Sequence, residues 1–287
     1  MSLGFIGLGV MGEPMCRNLA RKCGVRVSGF DLAPAPLERL RAAGVAAAGD
    51  AASVMRVADT VFLSLPSGKE LEAVCAVLLA QARGGQTVVD LGTSPVALTR
   101  SLAATFAGKG VRYADAPVAR TRQAAEDGTL SVMVGADTPT FDAIRPHLAC
   151  FASEITHCGA VGAGQIAKIM NNLVLIQTVV ALGEALAVAR RAGMDGKVLF
   201  ETLTRGSADS FALRNHGLKA IVPDAFPERA FSAAYALKDL RYALDLAREA
   251  GLDLASARRA ERLLEEAIAA GWGDLYWPVL SRVIDRG

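Results

Sequence analysis

Near the N-terminus the run Gly7-Leu8-Gly9-Val10-Met11-Gly12 fits GxGxxG, directly after the apolar segment Leu3-Gly4-Phe5-Ile6 and just before a helix read over residues 14–22. The pattern gains its weight from that position between strand and helix. The first glycine permits a tight turn. The second leaves the backbone open to a closely approaching group, and the third lets helix and strand pack closely. Free N–H groups at the helix start, with the helix dipole, attract anions such as a pyrophosphate. A chain that starts this way is constrained to start with a βαβ unit.

The pattern continues through the first half. Strand signals fall at 25–30, 60–65, 87–91, 111–113, 130–134 and 154–156, and helical segments at 36–43, 69–82 and 96–109. Strands separated by helices imply a parallel sheet. After Gly164 strand runs cease. Ala, Leu, Arg and Glu dominate, with helix stops expected at Gly193, Gly217 and Gly251. The expected fold class is α/β: an N-terminal Rossmann domain (a doubly wound parallel sheet) over residues 1–161, then an all-α domain over 162–287. The glycines Gly159, Gly162 and Gly164 mark the boundary.

Composition removes several alternatives. With 287 residues, two domains with a large core are expected. A hydrophobic share of 52% excludes a disordered chain, and 31 basic against 29 acidic residues leave no footprint for nucleic acid. Five cysteines without a CxxC argue for a reducing compartment. His147, His157 and His216 are isolated, so no metal site is expected. No secretory signal is visible, and the apolar stretch 173–189, interrupted by Gln177 and Glu184, reads as a buried helix, with no membrane expected. The expectation is a cytoplasmic protein.

Asp31 closes the second strand, 19 residues after Gly12. An acid about 20 residues beyond the glycines accepts from a ribose 2′-OH and repels the 2′-phosphate of NADP. No basic residue follows before Arg39, so NAD is expected over NADP. A helix N-cap ahead of Pro34 is the alternative role for Asp31.

Four ordered blocks extend this reading. They are Phe5-Ile6-Gly7-Leu8-Gly9-Val10-Met11-Gly12-Glu13-Pro14-Met15; Asp115-Ala116-Pro117-Val118 with Gly128-Thr129-Leu130 and Met133-Val134-Gly135; Gly159 through Gly162, Gly164 and Lys168 to Asn172 as GxxGxGxxxKxxxN; and Lys238-Asp239-Leu240. Together they resemble the β-hydroxyacid dehydrogenase family over essentially the whole chain. The resemblance implies a long interdomain helix lining a cleft. It implies that Gly7, Gly9, Val10, Met11, Gly12 and Asp31 hold the cofactor, with Leu65 and Pro66 on its adenosine side and Thr93 by the nicotinamide. Lys238 would reach cofactor or substrate. Lys168 would be the catalytic lysine, and Asn172, with Asn171 beside it, would hold the substrate. A homodimer or homotetramer is also implied.

Those residue types suit the chemistry. Hydride transfer to a carbonyl carbon builds negative charge on oxygen, which an ammonium stabilises and protonates; in the reverse direction the neutral amine accepts the proton. Lys168 and Asn172 stand at i and i+4, on one helix face.

Two blocks depart from the family. Its Pro-Val-Ser-Gly-Gly loop is here Pro117-Val118-Ala119-Arg120-Thr121. Arg120 puts a planar fork for carboxylate, sulfonate or phosphonate where the family exposes backbone, and Thr121 adds a hydroxyl. The loop resembles the Gly-Arg-Thr version of sulfolactaldehyde reductases. Ala119, Arg120 and Thr121 are therefore expected to meet a small anionic substrate; a solvent-facing Arg120, or one paired with Glu126 or Asp127, is the alternative. In Asp90-Leu91-Gly92-Thr93-Ser94-Pro95, Gly92 replaces a usual serine. A non-catalytic nucleotide-binding regulator and an imine reductase-like relative are the rival functions; the retained Lys168 argues against both.

Overall fold

The computed structural model describes residues 1–228 and 230–286. The chain divides into two compact units, Met1–Lys168 and Ile169–Gly287. The division thus falls seven residues beyond the expected 161/162 boundary, inside a helix.

The first unit carries β1 (Ser2–Ile6), α1 (Gly12–Lys22), β2 (Arg26–Phe30), α2 (Pro34–Arg41), β3 (Ala46–Ala47), α3 (Ala51–Val57), β4 (Thr60–Leu63), α4 (Gly68–Gln81), β5 (Thr87–Asp90), α5 (Val96–Ala107), β6 (Arg112–Asp115), β7 (Val118–Ala119), α6 (Arg122–Asp127), β8 (Leu130–Gly135), α7 (Thr138–Leu148) and β9 (Ala152–Gly159). The sheet order is β3-β2-β1-β4-β5-β6-β8-β7, with β9 on β8. The strands from β3 to β6 are parallel, whereas β8 runs antiparallel to β6. The 3-2-1-4-5-6 order is that of a doubly wound dinucleotide fold, whose crevice opens at the carboxyl ends of the strands beside the β1/β4 switch point.

Strand alternation builds two cores. Phe5, Phe62 and Val89 join the cluster on one face, whereas Ile6, Val61, Leu63 and Val88 join the cluster on the other. Gly4 is required by close packing: a Cβ there would meet Val54 Cγ1 at 2.4 Å.

The second unit begins within α8 (Ala163–Arg191) and continues with α9 (Gly196–Leu203), a π-helix at Leu213–Ile221, α10 (Ala233–Glu249), α11 (Ala255–Ala267) and α12 (Ser281–Arg286). Ile176, Val179, Leu182 and Leu186 of α8 share one core with Phe200, Leu240, Leu263 and Trp277. Among the described residues α8 alone is long and apolar enough to cross a membrane, yet half of its most apolar window is buried within the fold. With 29 residues it is much longer than the apolar stretch 173–189. Gly217 does not stop a helix, as its residue type suggested. It sits inside the π-helix, where a Cβ would lie 2.8 Å from the Phe200 ring.

Candidate active site

The carboxyl ends of β1, β2, β4, β5 and β6 lead directly into most of the residues singled out in the sequence. After β1, Gly7 has φ +89° and a Cβ there would lie 2.2 Å from Ser64 O. A Cβ on Gly12 would lie 2.0 Å from Gly7 O, so this glycine seats α1 against the strand. Gly9 has no atom within 4 Å of its would-be Cβ. That open backbone, beside a helix start whose cap position Met11 makes no side-chain hydrogen bond, has the shape a pyrophosphate needs. Val10 is exposed and Met11 half-buried.

After β2, Asp31 Oδ2 accepts the Leu8 N–H at 2.6 Å and Oδ1 accepts the Ala33 N–H at 2.8 Å. The residue at the cap position of α2 is Ala33. Arg39 is held by Glu13 through two hydrogen bonds of 2.9 and 2.7 Å. That pairing, and the neighbouring Arg17, keep the Glu13 carboxyl below its ordinary value against the opposing effect of burial. After β4 come Leu65, half-buried, and Pro66, exposed; the strand itself ends at Leu63.

After β5, the turn Gly92-Thr93-Ser94 is tied down from several sides. Asp90 Oδ1 accepts the Gly92 N–H at 2.9 Å, and the Ser94 hydroxyl donates to Asp90 Oδ2 at 3.1 Å. Gln165, fully buried, accepts the Ser94 N–H at 3.0 Å and donates to Gly92 O at 2.8 Å.

After β6, Asp115 receives the start of α8. Its Oδ1 accepts the Gly162 N–H at 2.6 Å and its Oδ2 the Gln165 N–H at 2.7 Å. Burial raises the Asp115 carboxyl above the usual range, and these N–H groups oppose the rise. Glycines make room for this carboxylate. A Cβ on Gly135 would lie 2.4 Å from Asp115 Oδ1, and one on Gly164 would lie 2.3 Å from Met133 O. Lys168, one helical turn beyond Gln165, is half-buried.

The loop that departs from the family keeps a glycine-like backbone: Arg120 has φ +85°. Its Nη1 donates to Thr129 O at 2.6 Å and to Ser153 Oγ at 3.0 Å. Glu126 pairs with Arg17 at 2.6 Å instead of with Arg120. Thr121 caps α6 by accepting the Ala124 N–H, and Ala119 pairs with Ser131 in the β7–β8 ladder.

In the second unit Asn172 is buried while Asn171 is exposed. Asn172 Nδ2 donates to Asp239 Oδ2 at 2.7 Å, and its Oδ1 accepts from Asn171 Nδ2 at 3.1 Å. Asp239, 2% exposed, also faces Lys238 Nζ at 3.2 Å. The Lys238 ammonium lies 4.8 Å from the centre of the Tyr235 ring and 5.3 Å from that of Tyr242. Asp90, Gln165 and Asp239 carry no sequence signal as supports. The Gln165 amide finds Ser94, Gly92 and Asp90 at separations of 71, 73 and 75 residues, and Asn172 finds Asp239 at 67, so no local spacing signals these pairings. No group of three or more His, Cys, Asp or Glu among the described residues could hold a metal ion.

Comparison with known proteins shows the family. The family model for the NAD binding domain of 6-phosphogluconate dehydrogenase matches residues 2–187. That for NAD-binding of NADP-dependent 3-hydroxyisobutyrate dehydrogenase matches residues 162–276. The 2-(hydroxymethyl)glutarate dehydrogenase of Eubacterium barkeri is 34% identical over 95% of this chain and 91% of its own. The NAD-dependent L-serine dehydrogenase of Pseudomonas aeruginosa is 33% identical over 99% and 97%. Mycobacterium tuberculosis 3-hydroxyisobutyrate dehydrogenase, solved with L-serine, superimposes with a TM-score of 0.90 at 32% identity, covering 99% of this chain and 98% of that one. The chain belongs to the β-hydroxyacid dehydrogenase family and is an NAD(P)-dependent oxidoreductase of that family.

Proposed function

We propose that this enzyme exchanges hydride between NAD and a small anionic β-hydroxy acid, or the corresponding semialdehyde, with Lys168 as general acid and base. The observation that carries the reading is the start of α8. A half-buried amine there follows a glycine turn locked by Asp115 at the carboxyl edge of a dinucleotide-type sheet, and Asn172 stands one turn further on. When bound, NAD would supply hydride chemistry at the substrate carbon. Lys168 holds the proton that goes to the substrate oxygen during reduction and takes it back during oxidation. Asn172, its amide fixed by Asp239, orients the substrate. Gly7, Gly9, Val10, Met11 and Gly12 hold the pyrophosphate, Asp31 the ribose, Leu65 and Pro66 the adenosine side, and Thr93 the nicotinamide side. Lys238 contributes a second cation.

Two features favour NAD over NADP. Asp31 follows β2, where an acid can accept from a ribose 2′-OH, and Arg39, the first cation after it, is already paired with Glu13. The names of the serine and hydroxymethylglutarate relatives both describe carboxylates with a hydroxyl on the β-carbon, which supports the substrate class. Ala119, Arg120 and Thr121 line the anion end in this reading. A sulfonate of the sulfolactaldehyde type is the finer alternative to a carboxylate.

The test is an assay of NAD reduction and NADH oxidation across carboxylate, sulfonate and phosphonate analogues, for wild type and Lys168→Ala. Turnover by the wild type and a loss of about 10²-fold or more in kcat for the variant, with NADH affinity retained, is expected. Near-wild-type turnover by Lys168→Ala would sink the acid–base assignment. No turnover by the wild type on any analogue would favour the regulator.

A further inference from the structure

The Gln165 side chain ties α8 to the turn after β5. It is fully buried and lies on α8, one turn before Lys168. Its carboxamide reaches the turn after β5 and pairs with both peptide groups flanking Thr93. Oε1 takes the Ser94 N–H at 3.0 Å, and Nε2 gives to Gly92 O at 2.8 Å and to Asp90 Oδ2 at 3.3 Å. An amide meeting the C=O before a residue and the N–H after it repeats the pairing of a β-ladder. The two ends of the connection are independently stiff. Asp90 and Ser94, each 1% exposed, lock the turn from beneath, and Asp115 locks the Gln165 backbone N–H at 2.7 Å. Both amide N–H groups of Gln165 and its carbonyl oxygen are engaged.

We propose that Gln165 is a positioning residue: its amide sets the distance between the Thr93 turn and the helical turn that carries Lys168. This rests on Lys168 being the acid–base group and Thr93 flanking the nicotinamide. Displacing reacting groups by about 1 Å can lower a rate by about 100-fold without weakening binding. A methionine at 165 fills similar space but offers neither a strong donor nor a strong acceptor. A glutamate keeps the shape. Ionised, it loses both donations and sets a second carboxylate against Asp90; protonated, it can again give to Gly92 O while accepting from Ser94.

The experiment compares kcat, KM, NADH affinity and melting temperature for wild type, Gln165→Met, Gln165→Glu, Lys168→Ala and Gln165→Met/Lys168→Ala. Gln165→Met should lower kcat about 10- to 100-fold with NADH affinity within about threefold of wild type. In the Lys168→Ala background the same change should lower kcat by less than about threefold, because the amine it positions is gone. Gln165→Glu should recover relative to wild type as pH falls from about 8 to about 5.5. An unchanged kcat in Gln165→Met overturns the proposal, as does an equal loss in both backgrounds. Should Gln165→Met fail to fold, a flat pH ratio for Gln165→Glu overturns it instead. A near-wild-type Lys168→Ala overturns the acid–base reading itself, which separates the two failures.

Discussion

The Asp31 carboxylate accepts the backbone N–H of Leu8 at 2.6 Å, so the acid at the end of β2 also fixes the first turn of the glycine loop. This couples the loop that would cradle the pyrophosphate to the group that would hold the ribose. Asp31→Ala removes both a charged acceptor of a backbone N–H and the 2′-OH partner. A hydrogen bond to a charged group contributes about 1.5–3 kcal/mol. The expected result is a rise of about tenfold or more in KM for NAD, with kcat within about threefold. Steady-state kinetics with NAD and NADP check it. The ratio of kcat/KM for NADP to that for NAD should rise, and an unchanged ratio would remove Asp31 from cofactor selection.

Arg120 occupies the left-handed region at φ +85°, where the family carries glycine. An L-residue there is disfavoured by about 1–2 kcal/mol. Arg120→Gly should therefore be more stable than Arg120→Ala by about 1 kcal/mol, since both lose the contacts to Thr129 O and Ser153 Oγ and differ only at Cβ. Chemical denaturation measures the difference. The same pair tests the anion role: both variants should raise KM for anionic substrates. An unchanged substrate profile would leave Arg120 as a brace between the loop and β9.

His216 sits in the π-helix with its Nδ1 against the Tyr276 hydroxyl and its Nε2 buried without a hydrogen bond among the described residues. Burial drives the imidazole down to about 4. The folded protein therefore keeps His216 neutral where the unfolded chain binds a proton. Stability from this group is complete above about pH 6.5 and falls as pH drops through the window from there to about 4, by as much as about 3 kcal/mol. Denaturation of wild type and His216→Gln at neutral pH and near pH 4.5 should show a shallower acid-side decline in the variant. Parallel declines would place the acid sensitivity elsewhere.

Much of this protein was legible as sequence because the relevant physics is local. The turn at Gly7, the open backbone at Gly9 and the close approach at Gly12 are conformational demands on single residues. The apolar runs of β1, β4 and β5 marked them as strands, and the spacing of Lys168 and Asn172 put them on a common helix face. Short elements such as β3, α3 and α6 escaped because a few residues carry too little periodicity to be distinguished from loop. Gly217 misled because a glycine that admits the Phe200 ring looks, in sequence, like one that ends a helix. The support of the site could be decided only in three dimensions. Asp115 and Gly162, Gln165 and Ser94, and Asn172 and Asp239 are separated by 47, 71 and 67 residues, and Arg120 turned to Thr129 and Ser153, not to the Glu126 or Asp127 of the alternative reading. A buried polar group takes whichever partner the packed chain brings within about 3 Å, and that choice leaves no local pattern to read.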